Sequence, residues 1–386
     1  MSTDAPRDES LEAQATVTDG DLGNGVASSG AGAAWHLEGL DGPVGALQRA
    51  IEGGHLAHAY LFHGPPGVGK ATLAKRLAQA LVAPLGADGM IDLEANLVRQ
   101  IEAGELPDVE RIAVGGLCDD ETEERSAAAT RIRICQIRRL HRLAALAPFQ
   151  SPRRVFIIDT VDDIQTEAAH ALLKVLEEPP PHVLLLVLAN DVDELLPTIR
   201  SRCQEIALHP MPVDDLAAAL GRRLELDPED AAETAREARG RYGRALSLVE
   251  DPSLRVLQEA VAEDAARLAR AGRNERFDYA STLSQRWRRE RSSVIATLDL
   301  WGEWWRDVLI AAAGLGDGPR SVHDGEETPR WPAADAVRAL RAVRQAREHL
   351  LANVNPQLAL EVMMLDLPVA ATESETEDAP IASGRI

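Results

Sequence analysis

Residues 64–72 read Gly64-Pro65-Pro66-Gly67-Val68-Gly69-Lys70-Ala71-Thr72, which fits the G-x-x-x-x-G-K spacing of a phosphate-binding loop. The flanks agree with that reading. Ala59 to His63 is an apolar run of strand length, and from Ala71 to about Val82 the residues Leu73, Leu77 and Leu81 recur at helical spacing. Strand, Gly-rich loop and helix in that order are what such a loop needs, because the helix N-terminus turns unpaired N–H groups toward an anion. Lysine usage strengthens the point. Of 41 basic residues only Lys70, Lys75 and Lys174 are lysines, so a Lys at the phosphate-contacting position is not a product of composition.

The same stretch lacks groups that phosphate chemistry uses. After Lys70 the pattern calls for a Ser or Thr hydroxyl to hold Mg²⁺, and Ala71 has no oxygen to offer. Val155-Phe156-Ile157-Ile158-Asp159-Thr160 reads as a buried strand ending on an acid, but Thr160 follows where a second carboxylate would activate water. The expectation is a site able to hold a nucleotide and poorly equipped to cleave it; the competing reading is a relic loop, folded and empty. Asp159 keeps the capacity to hold a metal through water. Asp162 and Asp163 read as part of a solvated loop.

The rest of the chain organises around this loop. Helical spacing is expected over Val44–Ile51, Ile134–Leu143 and Gln165–Glu178, and strands over Glu110–Val114, Val155–Ile158, Val183–Ala189 and Gln204–Leu208. Strands alternating with helices argue a parallel α/β sheet. Pro179-Pro180-Pro181 ends a helix. Residues 84–131 are the least legible part, with Asp119–Ala129 read as a polar loop. Beyond Pro210 two or three short helices are expected over 213–250, and a helical region from about 253 to 368 is broken by a Gly/Pro-rich loop, Gly314–Pro332. Trp301, Trp304 and Trp305 have the i, i+3, i+4 spacing of a buried helix face.

Formal charge is −21, so the surface as a whole repels nucleic acid, and any DNA contact must be local or made by partners. Residues 1–34 hold six acids and one Arg, residues 371–386 four and one, and both are expected to be disordered. Cys118, Cys135 and Cys203 form no C-x-x-C pair and are expected to be reduced thiols, with no zinc and no other metal site. No apolar run approaches the roughly 20 residues that span a bilayer, and a cytoplasmic location without membrane attachment is expected. Arg131, Arg133, Arg138, Arg139, His141 and Arg142 make a basic stretch that either meets DNA phosphates or is a solvated helix face. Arg286, Arg288, Arg289 and Arg291 around Trp287 pose the same choice, with subunit packing preferred.

Two blocks are more specific. Ala171-Leu172-Leu173-Lys174-Val175-Leu176-Glu177-Glu178-Pro179 and Leu195-Leu196-Pro197-Thr198-Ile199-Arg200-Ser201-Arg202-Cys203, taken with the Gly-rich loop, resemble the AAA+ clamp-loader family over roughly residues 40–250. The resemblance implies a RecA-like P-loop domain with a parallel sheet, a small helical lid and a C-terminal helical collar that joins subunits. Domain limits are then expected at 1–34 (tail), 35–211, 212–251, 252–370 and 371–386 (tail). It implies that Gly64, Pro65, Pro66, Gly67, Val68, Gly69, Lys70, Ala71, Thr72 and Asp159 face ATP, that Asn190 is the polar sensor, and that Arg202 of the Ser-Arg-Cys block is an arginine finger offered to a neighbour's ATP.

The departures, Ala71 and Thr160, are similar to those of delta-prime subunits of bacterial DNA polymerase III. The lid segment Gly240-Arg241-Tyr242-Gly243-Arg244-Ala245-Leu246 puts Gly243 where active loaders carry Arg, unless Arg241 or Arg244 takes that place. The resemblance implies the other loader subunits (gamma/tau and delta), the sliding clamp and primed DNA as partners. In that setting ATP binding opens the clamp and hydrolysis by gamma/tau-type subunits releases it onto DNA, within a nucleotidyltransferase complex. An active gamma/tau-type ATPase is the alternative.

Overall fold

The computed structural model describes residues 31–83, 85–86, 89–116, 118, 129–315 and 331–368. The expected tails at 1–30 and 371–386, and most of the polar loop 119–128, lie outside these residues. Residues 31–34, expected within the N-terminal tail, instead form a short helix, α1 (Ala31–Ala34). Among the described residues no helix is long and apolar enough to cross a membrane.

Two compact units are present, the first running to Leu246 and the second from Ser247, with Ala128–Arg131 counted with the second. The first unit holds α2 (Asp41–Glu52), β1 (Ala59–His63), α3 (Lys70–Val82), α4 (Asn96–Ala103), β2 (Val109–Ala113), α5 (Ile134–Ala144), β3 (Arg154–Asp159), α6 (Thr166–Glu177), β4 (Val183–Ala189), α7 (Pro197–Arg200) and β5 (Gln204–Ala207). The five strands form one sheet in the order β2-β3-β4-β1-β5, and every pairing is parallel. β4 reads Val-Leu-Leu-Leu-Val-Leu-Ala and is buried along its whole length, as a strand covered on both faces must be. Alternate residues split between two cores. Val155, Ile157, Leu184, Leu186 and Leu188 pack with Leu73 and Leu77 of α3. Phe156, Ile158, Leu185 and Val187 pack with Leu140 of α5 and Leu172 and Leu176 of α6.

Three helices continue the first unit: α8 (Val213–Leu224), α9 (Pro228–Ala238) and α10 (Tyr242–Glu250), the last crossing into the second unit. Asp227 and Pro228 stand at the N-cap and first turn of α9, as their order in the sequence suggests.

The second unit is helical: α11 (Ser253–Arg270), α12 (Arg273–Trp287), α13 (Arg291–Ala312), α14 (Ala333–Leu351) and α15 (Pro356–Asp366). Trp301, Trp304 and Trp305 are all buried in its core, Trp304 meeting Trp305 edge-on at 4.8 Å between centroids. Arg276 is buried and clasps helix C-termini, donating to Leu268 O on α11 and to Met364 O and Leu367 O at the end of α15. A cation at the negative end of a helix is favourably placed.

Candidate nucleotide and arginine-finger site

The Gly-rich loop leaves β1 and enters α3 at Lys70. Gly64 has φ +145°, and a Cβ there would lie 2.2 Å from Leu208 O, so only glycine lets the loop pass the end of the sheet. Gly64 N–H donates to Ala189 O at the end of β4 (3.2 Å). Lys70 is folded onto its own loop. Its Nζ donates to Gly64 O (2.5 Å), Pro65 O (3.1 Å) and Asn190 Oδ1 (2.9 Å), and the side chain is 7% exposed. Burial pushes its ammonium down to about 8, against the opposing pull of Asp162 and Asp159. Asn190 therefore stands beside the phosphate-loop lysine, where the sequence expected a polar group at the end of a central strand.

Asp162 corrects an expectation. It is not a solvated loop acid: its carboxylate accepts from Asn190 N–H (2.8 Å) and Asp191 N–H (3.0 Å), fixing the chain as it leaves β4. Burial raises its pKa, while those two N–H donors pull it back. The aspartate thus orients Asn190 toward Lys70. Nothing in the local sequence distinguishes it from Asp163.

Asp159 ends β3, and both of its oxygens are engaged. Arg111 of β2 donates to Oδ2 from Nη2 (2.6 Å) and Nε (3.2 Å). Thr160 Oγ1 donates to Oδ1 (3.0 Å). Ala71 and Thr72 are both exposed.

The start of α10 packs directly on the loop. Arg244 N–H donates to Gly67 O (3.2 Å), and Arg241, itself buried, reaches Pro66 O at 3.5 Å. A Cβ on Gly243 would lie 2.9 Å from Gly67 O, so this packing leaves no room for an Arg at 243. A cavity of about 480 Å³ lies between the Glu38–Pro43 segment and the start of α8, lined in part by Leu40, His209, Met211 and Arg222. It includes no residue of the 64–72 loop.

Arg202 lies elsewhere, in the turn between α7 and the edge strand β5. It is held by Glu177 Oε1 (2.8 Å) and Thr198 O (2.9 Å) with 34% of its side chain exposed. Arg200 pairs with Glu205 (2.6 Å). The structure thus gathers Lys70, Asn190, Asp159 and the 64–69 backbone, and sets Arg202 apart at the sheet's edge.

Three members of the basic stretch serve the unit's own framework. Arg133 donates to Gly116 O (3.3 Å), Arg139 pairs with Glu110 (2.9 Å), and His141 Nε2 contacts Ala171 O (2.8 Å). Arg291 stacks over Trp287 at 5.5 Å. The expectation of three reduced thiols fails: Cys118 and Cys135 form a disulfide with Cα atoms 5.6 Å apart, leaving Cys203 free. Their separation of 17 residues matches no redox or zinc spacing, so the pair carries no sequence signature.

The sequence model described as "DNA polymerase III, delta subunit" matches residues 41–212. The chain is 33% identical over 187 residues to DNA polymerase III subunit gamma/tau of Mycobacterium tuberculosis H37Rv, covering 46% of this chain and 29% of that protein. It is 32% identical over 210 residues to subunit tau of Escherichia coli K12 (53% and 30%). It is 33% identical over 181 residues to subunit delta' of Pseudomonas aeruginosa PAO1 (47% and 51%). The chain spans about half or less of the length of these relatives. Among solved structures it is similar to a DNA polymerase III gamma subunit-related protein of Thermotoga maritima, with TM-score 0.37, 18% identity and coverage of 83% and 97%. It is also similar to the RuvB Holliday junction branch migration motor of that organism, with TM-score 0.38, 19% identity and coverage of 81% and 83%. The matched sequence takes in the sheet, the Gly-rich loop and the Ser-Arg-Cys turn together, and over that stretch the chain is similar to the clamp-loader subunits of DNA polymerase III.

Proposed function

We propose that this chain is a delta-prime-type clamp-loader subunit that completes a neighbour's ATP pocket with Arg202 and does not cleave nucleotide in its own. The observation that carries the reading is the division within the first unit. The phosphate loop lacks a metal-binding hydroxyl at Ala71 and a catalytic carboxylate at Thr160, while Arg202 stands intact beside the outer strand β5. A guanidinium placed on a transferring phosphoryl group is worth about 10³–10⁵ in rate. At the edge of the sheet it is available to a neighbouring subunit.

Residues 35–211 serve as the RecA-like domain and 212–251 as the lid, with the Gly64–Thr72 loop, Asp159 and Asn190 receiving ATP or ADP. Residues 252–370 serve as the collar. Leu358, Val362 and Leu365 of α15 are exposed at spacings of four and three, a ridge suited to burial against another helix. The partners are the gamma/tau and delta subunits, with the sliding clamp and primed DNA engaged through the complex during replication.

The alternative, a gamma/tau-type ATPase, takes support from the gamma/tau relatives. ATP turnover by the purified chain, with and without primed DNA, separates the two. The delta-prime reading expects turnover no higher than that of Lys70→Ala. DNA-stimulated turnover abolished by Lys70→Ala would establish the alternative.

A further inference from the structure

AAA+ nucleotide sites use Mg²⁺, and the residues here do not fit it. The metal needs an oxygen after the loop lysine and a carboxylate free to coordinate, directly or through water. Ala71 supplies no oxygen. The Asp159 carboxylate is taken on one oxygen by Arg111 and on the other by Thr160. Arg111 is placed for this by the sheet. It pairs in register with Ile157 of β3, so its side chain shares the face of Ile157 and, two residues on, Asp159. That is the face covered by α3 and its phosphate loop.

We propose that Arg111 stands in for the divalent metal at Asp159, so that the Gly64–Lys70 loop takes a nucleoside di- or triphosphate without Mg²⁺. The proposal rests on the reading of this loop as a nucleotide site. A free carboxylate at the end of β3 would repel a polyphosphate held by Lys70. Pairing with a guanidinium removes that charge without a metal, and two hydrogen bonds to one oxygen hold the pair in a fixed geometry. A permanently charged arginine needs no coordination shell and does not depend on the hydroxyl that Ala71 lacks.

Calorimetric titration of the full chain with ADP and with ATP, once with excess Mg²⁺ and once with excess EDTA, tests this. The two dissociation constants should agree within about threefold, a difference well under 1 kcal/mol. Arg111→Ala, at a side chain 64% exposed and so tolerant of substitution, should weaken binding in EDTA about five- to tenfold. Mg²⁺ should then restore part of the loss, and Arg111→Lys should keep most of the parent's behaviour. Lys70→Ala should lose binding under both conditions. Parent binding that requires Mg²⁺, or an Arg111→Ala variant indistinguishable from the parent, overturns the proposal while leaving a nucleotide site in place. Absence of binding in either condition overturns it together with the nucleotide-site reading. None of these results bears on Arg202.

Discussion

Lys70 should destabilise the empty protein, and the cost should have a definite pH dependence. Its ammonium is 7% exposed, and burial brings its pKa from 10.5 to about 8. Because the folded value is depressed, the unfolded chain binds more protons between the two values. This residue's contribution to stability therefore rises with pH through that window. With those values the folded state carries a penalty of about 3 kcal/mol near pH 7, falling to roughly half of that near pH 9.5.

Lys70→Met keeps the length of the side chain and removes the charge. It strands the Gly64 and Pro65 carbonyls and Asn190 Oδ1, which offsets part of the gain. The expected outcome is a variant more stable than the parent by about 1–2 kcal/mol near pH 7. Comparing urea unfolding of the first unit in both proteins cancels every other titrating group, leaving Lys70 alone. The parent should close on the variant by about 2 kcal/mol between about pH 7 and about pH 9.5. A stability difference that stays level across that range would refute the argument, as would a Lys70→Met variant less stable than the parent throughout.

Two further outcomes follow from buried groups. Asp108 is fully buried and accepts from Phe149 N–H (2.6 Å), Gln150 N–H (2.8 Å) and Ser151 N–H (3.0 Å). Burial pushes its carboxyl up, but these donors outweigh that and hold it below the usual range, so its stabilisation is lost as pH falls through the folded value. Asp108→Asn should cost about 2–3 kcal/mol in urea unfolding, and a cost under about 0.5 kcal/mol would show that the loop does not depend on the charge. The Cys203 thiol is pushed up to about 12, by burial first and then by Glu205. Mass spectrometry after iodoacetamide treatment near neutral pH should find Cys203 modified only once the chain is unfolded; rapid native labelling would contradict that burial.

Much of this architecture was legible because it is written in short, contiguous signals. The strands Ala59–His63 and Val183–Ala189 occupy the residues their apolar runs mark out, and the tryptophans of α13 are buried as their helical spacing requires. Helix α4 escaped notice because only Val98 and Ile101 are buried along its eight residues, too few to mark a period. The features that set the character of the site lie across elements. The Arg111–Asp159 pair depends on the register of β2 against β3, and Asp162 acts through the backbone at the end of β4. Neither sequence neighbourhood carries a sign of its partner. Arg202 was legible from its turn, but Glu177, which holds it, comes from the far end of α6.

The most direct test is the Arg202→Ala substitution in a reconstituted loader whose other gamma/tau-type pockets are disabled, read as DNA-stimulated ATP turnover at the remaining pocket beside this chain. Turnover should fall by about 10³-fold or more while gel filtration shows the assembly intact. Undiminished turnover in an intact assembly would contradict the claim that this chain completes its neighbour's active site.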